Sequence, residues 1–320
     1  MKQYIIRRLL QMIPTLIGIS IIIFTLSAII PGDFITAQDN PNMTAERAAQ
    51  LRAIYGLDKP NYERYFTWAG NMIQGNFGDS LMHKKPVTDV IGTYVWNSFL
   101  IAIFSLIISW TLAIFVGIFS AKFQYSLFDK LVTLLVFLLM SLPSFFIGLL
   151  LIKVLALDLG WFPVGGMSSA GFKGTTFQYY MDVLEHSILP ITVLTMLSIG
   201  SLSRYFRTSM LEVIRQDYIR TARAKGLSER VVIFKHAFRN AMLPAITLLG
   251  FELPGLFGGA MILEQIFAWP GIGKVYLGSI NMRDYPFMLG FTIFLAALTL
   301  IGNFIADLLY GLADPRIRLK

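Results

Sequence analysis

Residues Asp217–Pro244, DYIRTARAKGLSERVVIFKHAFRNAMLP, form a basic island between two strongly apolar stretches, and the reading of that island decides the fold. From Arg204 to Arg239 the chain carries nine Lys and Arg residues against three acids. Of the 320 residues, 55% are hydrophobic and 14% charged, with a mean hydropathy of +0.64. A soluble globule of that composition would leave too much apolar surface in water, whereas a bilayer accepts it, so the chain reads as an integral membrane protein. The net charge of +8 does not imply a nucleic-acid partner. The basic residues fall in blocks at the ends of apolar runs, which is the pattern of membrane anchoring.

Working outward from the island, crossing about 30 Å of hydrocarbon as a helix takes about 20 mostly apolar residues. Six candidates appear: Leu9–Ile30, Phe99–Ala121, Leu131–Leu157, Ile188–Leu202, Leu243–Phe267 and Pro286–Tyr310. The expected fold is an all-α polytopic membrane protein with six transmembrane helices. The fourth run is short, and its helix is expected to extend toward His186 with Arg204 snorkelling to the interface. Lys2, Arg7 and Arg8 precede the first run, the Lys122–Lys130 loop is short and basic, and Arg316, Arg318 and Lys320 follow the last. The loops on the other side are acidic or nearly balanced: Pro31–Ser98 holds seven acids against six bases, and Asp158–Ser187 holds Asp158, Asp182 and Glu185 against Lys173. The positive-inside rule therefore places both termini and the island in the cytoplasm. The first run is too long for a signal h-region, and Ile29-Ile30-Pro31-Gly32 offers no small-x-small cleavage site, so it is expected to stay as a helix.

Pro31–Ser98 is too long for a simple connector. A helix is expected from Met43-Thr44-Ala45-Glu46, with Thr44 as cap and Gly56 as stop, and an aromatic amphipathic helix over Asn61–Met72 with Tyr62, Tyr65, Phe66 and Trp68. Such aromatics suit the bilayer interface, and a partly buried surface loop is the plainer alternative.

Several motifs carry a resemblance. The island, with Thr221 and Ala222, then Gly226, then a further helix closing at Pro244, resembles the cytoplasmic EAA-type loop of ABC importer permeases of the oligopeptide and dipeptide type. It has Arg220 where the wider permease family has Glu, and a longer interval between Gly226 and the proline; both features are at home in the peptide branch. YGLDKP (Tyr55–Pro60), GNFGDS (Gly75–Ser80), FAWPGIG (Phe267–Gly273), NMRDYP (Asn281–Pro286) and ADPRIR (Ala313–Arg318) are similar to segments of the first, B-type permease subunit, so the resemblance spans essentially the whole chain.

The resemblance implies a type I ABC importer permease fold in a bacterial or archaeal plasma (inner) membrane. It divides the chain into 1–93, a first helix plus extracytoplasmic segment; 94–310, a transmembrane domain with a coupling loop at 204–242; and a cytoplasmic tail at 311–320. The implied partners are a second permease subunit in a heterodimer, two cytoplasmic ABC ATPase subunits that hold ATP and Mg, an extracytoplasmic peptide-binding protein and membrane lipid. ATPase coupling is expected at Asp217, Arg220, Thr221, Ala222, Arg223, Lys225, Gly226 and Leu227. Arg220 and Arg223 lie on one face of a short helix, Ile219 and Ala222 on another, and Gly226 reverses the chain before Ser228 caps the next helix. Import of nickel or another metal chelate on the same scaffold, and a channel or receptor, are the alternative readings.

Enzyme chemistry finds little support. The only Gly-Lys pair, Gly273-Lys274, is followed by Val275 and makes no P-loop, so no cofactor is expected in this chain itself. No HExxH or Gly-x-Ser-x-Gly occurs, His83, His186 and His236 are far apart, and the absence of cysteine removes disulfides, cysteine-ligated zinc and thiol nucleophiles. Ionisable residues inside spans are better clues, since burying a charge in lipid costs about 2.5 kcal/mol or more. Glu252, two residues before Pro254, either lines a wet substrate path or makes a structural hydrogen bond between helices. Pro254 is expected to kink the fifth helix, and Gly255, Gly258 and Gly259 to allow close contact. Glu264 is a second candidate for the path, or snorkels at the helix end, as Asp307 and Lys153 do at theirs. Trp269-Pro270-Gly271 reads as a turn with an interfacial aromatic.

Overall fold

A computed structural model describes residues 2–37 and 43–313; Arg316, Arg318 and Lys320 of the expected cytoplasmic tail lie outside them. The first helix, α1 (Lys2–Ile29), runs through Pro14. Three short helices follow: α2 (Phe34–Ala37), α3 (Ala45–Ile54) and α4 (Asn61–Ile73). Thr44 caps α3 by accepting from the Arg47 N–H at 3.2 Å, and Gly56 follows its end with φ +64°. A small antiparallel hairpin, β1 (Asp79–Ser80) with β2 (Lys85–Pro86), leads into α5 (Val87–Lys122).

Next come α6 (Leu127–Ser141), α7 (Ser144–Leu151) with a π-wound end at Ile152–Asp158, and α8 (Thr176–Ile214). The island holds α9 (Asp217–Ala224), α10 (Glu229–Val231), a π-wound turn at Val232–Ala237, and α11 (Phe238–Ala241). The chain continues through α12 (Leu243–Gly258), α13 (Met261–Ile266), α14 (Ile272–Asn281) and α15 (Tyr285–Ala313). Helix α5 packs along α8, and α12 packs along α15.

Among the described residues, four helices are long and apolar enough to cross a membrane: α1, α5, α8 and α15. A fifth span results if α6 and the following helix count as one, although they are bent by 101°. The continuous third helix expected over Leu131–Leu157 is therefore corrected. Pro143 has no N–H to continue the ladder and holds Leu142 extended, at ψ 133°.

The fourth helix is much longer than Ile188–Leu202. A capping box between Thr175 and Gln178 starts it early, and it runs on through Pro190 to Ile214. The fifth expected helix is also broken, between α12 and α13, where Gly259 takes φ +72°. Helix α12 continues through Pro254, so the interruption comes at the glycine rather than the proline.

Of the glycines near Pro254, Gly259 does allow a close approach, to the Gly273 backbone, and the tightest contact with α15 lies one turn earlier in α12. Gly255 has open space around it, whereas a methyl at Gly250 would overlap Ala306 and the Gly302 carbonyl of α15. Backbones touch there because neither side carries a side chain at the crossing. Gly117 lets α5 approach Phe206 and Arg207 of α8 in the same way. The aromatic helix α4 turns half its ring face onto α1: Tyr65 and Trp68 pack on Phe24, and the Tyr65 hydroxyl meets Ser20 at 3.0 Å. Tyr62 and Phe66 remain exposed.

Candidate functional site

The island folds around a short amphipathic helix. In α9, Ile219 and Ala222 are three residues apart and therefore share a face. That face is buried in a cluster with Ile118 and Ala121 of α5, Met210 of α8, and Val232, Ile233, Ala237 and Ala241. The π-wound turn after α10 places Val232, Ile233 and Ala237 inside together.

The opposite face of α9 is exposed, with Asp217, Arg220, Thr221 and Arg223, and Lys225, Gly226 and Leu227 continue it. Arg220 pairs with Asp217 at 3.4 Å, Arg223 with Glu229 at 2.7 Å, and the Thr221 hydroxyl donates back to the Asp217 carbonyl. Gly226, at φ +76°, stops the helix and accepts no contact on the side where a Cβ would stand. Ser228 has the extended geometry of a cap, but its hydroxyl makes no cap bond, so this part of the expectation is corrected.

Tyr218 and Phe234 add exposed aromatic surface to the island, and the sequence reading did not single them out. The available signal was an aromatic residue within a charged segment. Arg204, expected to snorkel, lies over the ring of Phe137 of α6 at 5.1 Å.

The acids within the apolar segments separate into two kinds. Glu252 is half-buried, and its carboxylate has no hydrogen-bond or ion-pair partner among the described residues. Glu264 does not snorkel and faces no open path, which corrects both readings of it: its exposure is 0%. It accepts from the Ser98 hydroxyl at 2.6 Å, the Ala260 N–H at 3.0 Å and the Lys274 N–H at 2.8 Å. Trp269 likewise is no interfacial ring but is wholly buried, donating its indole N–H to the Asn97 carbonyl at 3.0 Å. Asp307 pairs with Arg8 at 3.2 Å, and Lys153 pairs with Asp158.

The segment between α1 and α5 is tied to the start of α15. Asp284 is fully buried and accepts from the Ser80 hydroxyl and from the N–H groups of Leu81 and Met82, both at 3.1 Å. The Tyr285 hydroxyl donates to the Gly32 carbonyl at 2.7 Å, and Arg283 reaches the Thr36 hydroxyl at 3.4 Å. Asp33 joins this arrangement by accepting from Arg52 at 2.6 Å and from the Thr36 N–H at 2.8 Å. Burial alone would raise the Asp33 pKa, but the Arg52 guanidinium and these hydrogen bonds hold it below the ordinary carboxylate value. A cavity of about 410 Å³ lies between this segment, α1 and α15, lined by Phe24, Leu57, Arg64, Trp68, Asn76 and Tyr285. Among the described residues no group of three acids or histidines is placed to hold a metal ion.

Residues 113–319 match the family described as binding-protein-dependent transport system inner membrane component, and residues 1–93 match its N-terminal companion family. The chain is 44% identical over 318 residues to the oligopeptide transport system permease protein AppB of Bacillus subtilis, covering 99% of each. It is 37% identical over 337 residues to the di/tripeptide transport system permease protein DppB of Pseudomonas aeruginosa, again covering 99% of each. It is 33% identical over 320 residues to the glutathione transport system permease protein GsiC of Escherichia coli, covering 100% of each.

Proposed function

Because the chain belongs to the family of binding-protein-dependent transport system inner membrane components, we propose that it is the first, B-type permease subunit of an ABC importer for peptides. It forms half of the translocation path with a second permease subunit. Two ATPase subunits on the cytoplasmic side bind and hydrolyse ATP with Mg, and an extracytoplasmic binding protein delivers cargo. The chain crosses a bacterial or archaeal plasma membrane six times in a type I permease fold, with both termini and the island inside. Four long helices and the bent pair of α6 with α7 account for five spans, and in this reading α12 with α13 makes the sixth.

The observation that carries this reading is the construction of α9. Its Ile219 and Ala222 are buried against helices from the membrane domain, while its polar face and the turn at Gly226 project outward. A short helix seated this way transmits displacement, since it cannot shift without pushing α5 and α8. Asp217, Arg220, Thr221, Arg223, Lys225, Gly226 and Leu227 meet an ATPase groove, with Ala222 seated behind them. The half-buried, unpartnered Glu252 faces the wet central path, where a carboxylate attracts the amino terminus of a peptide without trapping it.

The purified complex tests the assignment. ATPase activity that rises on adding cargo-loaded binding protein supports an importer, and its absence supports a channel or receptor. Uptake of defined peptides beside metal chelates in reconstituted vesicles then tests the cargo; selective uptake of a chelate would overturn the peptide assignment.

A further inference from the structure

The buried carboxylate of Glu264 sits where three segments meet. One is α5, through Ser98; the second is the break before α13, through the Ala260 N–H; the third is the start of α14, through the Lys274 N–H. Ser98 completes the arrangement by donating its hydroxyl hydrogen bond to Glu264 while accepting the Ile272 N–H at 2.8 Å. Every contact to the carboxylate is thus a donor, and the free N–H groups at the start of α14 turn their positive end toward it.

Glycines clad the carboxylate. A methyl at Gly271 would overlap both Glu264 and the Ser98 oxygen, and one at Gly259 would overlap the Gly273 backbone. Two further bonds fasten the same turn to the same place on α5: Asn97 donates its side-chain amide to the Pro270 carbonyl at 2.8 Å, and Trp269 donates to the Asn97 carbonyl.

The other end of α5 matters equally. Ile118 and Ala121 pack on Ile219 and Ala222 of α9. Ser98 and Ile118 lie on one unbroken helix, about 30 Å apart at 1.5 Å per residue. One rod therefore joins the Glu264 clasp to the island.

We propose that Glu264 is a positioning residue that locks the turn from Ala268 to Lys274 onto α5, so that the loop offered to the binding protein and the helix supporting α9 respond as one body. This rests on the reading of the chain as an importer permease. Gln at this position keeps the shape but must turn its amide nitrogen toward either the Lys274 N–H or the Ala260 N–H, leaving two donors face to face.

The test uses the reconstituted complex with its partner permease, ATPases and binding protein. Glu264→Gln and Ser98→Ala should each assemble in normal amount and keep basal ATPase activity, while stimulation by loaded binding protein falls about tenfold, the scale of one lost charge-assisted hydrogen bond. The double variant should be no worse than the more affected single variant, because both residues serve one clasp. If Glu264→Gln does not assemble, Ser98→Ala carries the test, since it leaves two of the carboxylate's donors in place. Normal stimulation in an assembled variant overturns the proposal, as does a parallel loss of basal and stimulated activity, which marks a merely structural role. A wild-type complex that shows no stimulation fails earlier and overturns the importer reading itself.

Discussion

Arg207 grips Asp129 with two parallel hydrogen bonds, Nε to Oδ1 at 2.7 Å and Nη2 to Oδ2 at 2.8 Å, joining the last third of a long helix to the first turn of another. The Asp129 side chain is 4% exposed, and it also accepts the Tyr125 N–H at 2.9 Å. A planar guanidinium matches a carboxylate in this geometry and an ammonium does not. Asp129→Ala should lower the stability of the solubilised protein by about 2–3 kcal/mol. Arg207→Lys should recover only part of the pairing. Thermal unfolding of the single and double variants checks this; additive losses would show that the two residues do not act together.

Gly226 offers a cleaner test of α9 than bulk alone. No atom stands within 4 Å of where its Cβ would be, so within this chain the cost of substitution is the left-handed backbone at φ +76°. Gly226→Asn should retain most ATPase coupling, because Asn tolerates that conformation. Gly226→Val should lose it, since left-handed backbone costs an ordinary residue about 1–2 kcal/mol and a β-branched one more. ATPase co-purification and uptake, compared between the two variants, decide the matter. Equal impairment would point to a clash with the ATPase surface instead.

Glu252 should line water. Glu252→Gln keeps the shape and removes the charge, so uptake should fall or shift in its preference for peptide charge while the complex stays assembled. The chain has no native cysteine, so Glu252→Cys gives a single reporter within it. Reaction with a water-soluble thiol reagent in at least one transport state is expected. An unreactive thiol throughout, together with normal transport by Glu252→Gln, would leave the residue structural.

The outer segment should loosen in acid through Asp33. Its carboxyl titrates below the ordinary value in the folded chain, so its stabilisation is fully present above the unfolded pKa of about 3.9 and is lost as pH falls through the lowered folded value. Hydrogen exchange over residues 45–54, which Arg52 ties to Asp33, should speed up below about pH 4. Asp33→Asn should exchange faster at neutral pH and lose most of this acid dependence. An unchanged pH profile in the variant would assign the acid response to other groups.

Cross-linkers placed at Asn76 or Arg283 should capture the loaded binding protein. Asn76 lies in the segment that Asp284 and Tyr285 tie to the start of the last long helix and lines the cavity there, and Arg283 lies in the turn just before that helix and reaches Thr36 of the same segment. Capture only at other sites in an active transporter would move the docking face.

Much of this protein is written in composition and charge. Four helices near the expected apolar runs are long and apolar enough to span, because the membrane criterion needs only length and hydropathy. The two faces of α9 could also be read from residue spacing, and its end from Gly226, but not that Ala222, expected among the coupling residues, is buried within the chain itself.

Tertiary structure decided the rest. Hydropathy averages over a run, so it does not register the bend at Pro143 or the break at Gly259, where single residues redirect a continuous apolar stretch. Nor does it separate Glu252 from Glu264: both are acids in apolar sequence, but one has no partner among the described residues and the other is enclosed by donors from segments far apart in the chain. Trp269 turned inward for the same reason. A polar atom within membrane depth is stable where donors and acceptors converge on it, and that convergence belongs to the packing of distant segments.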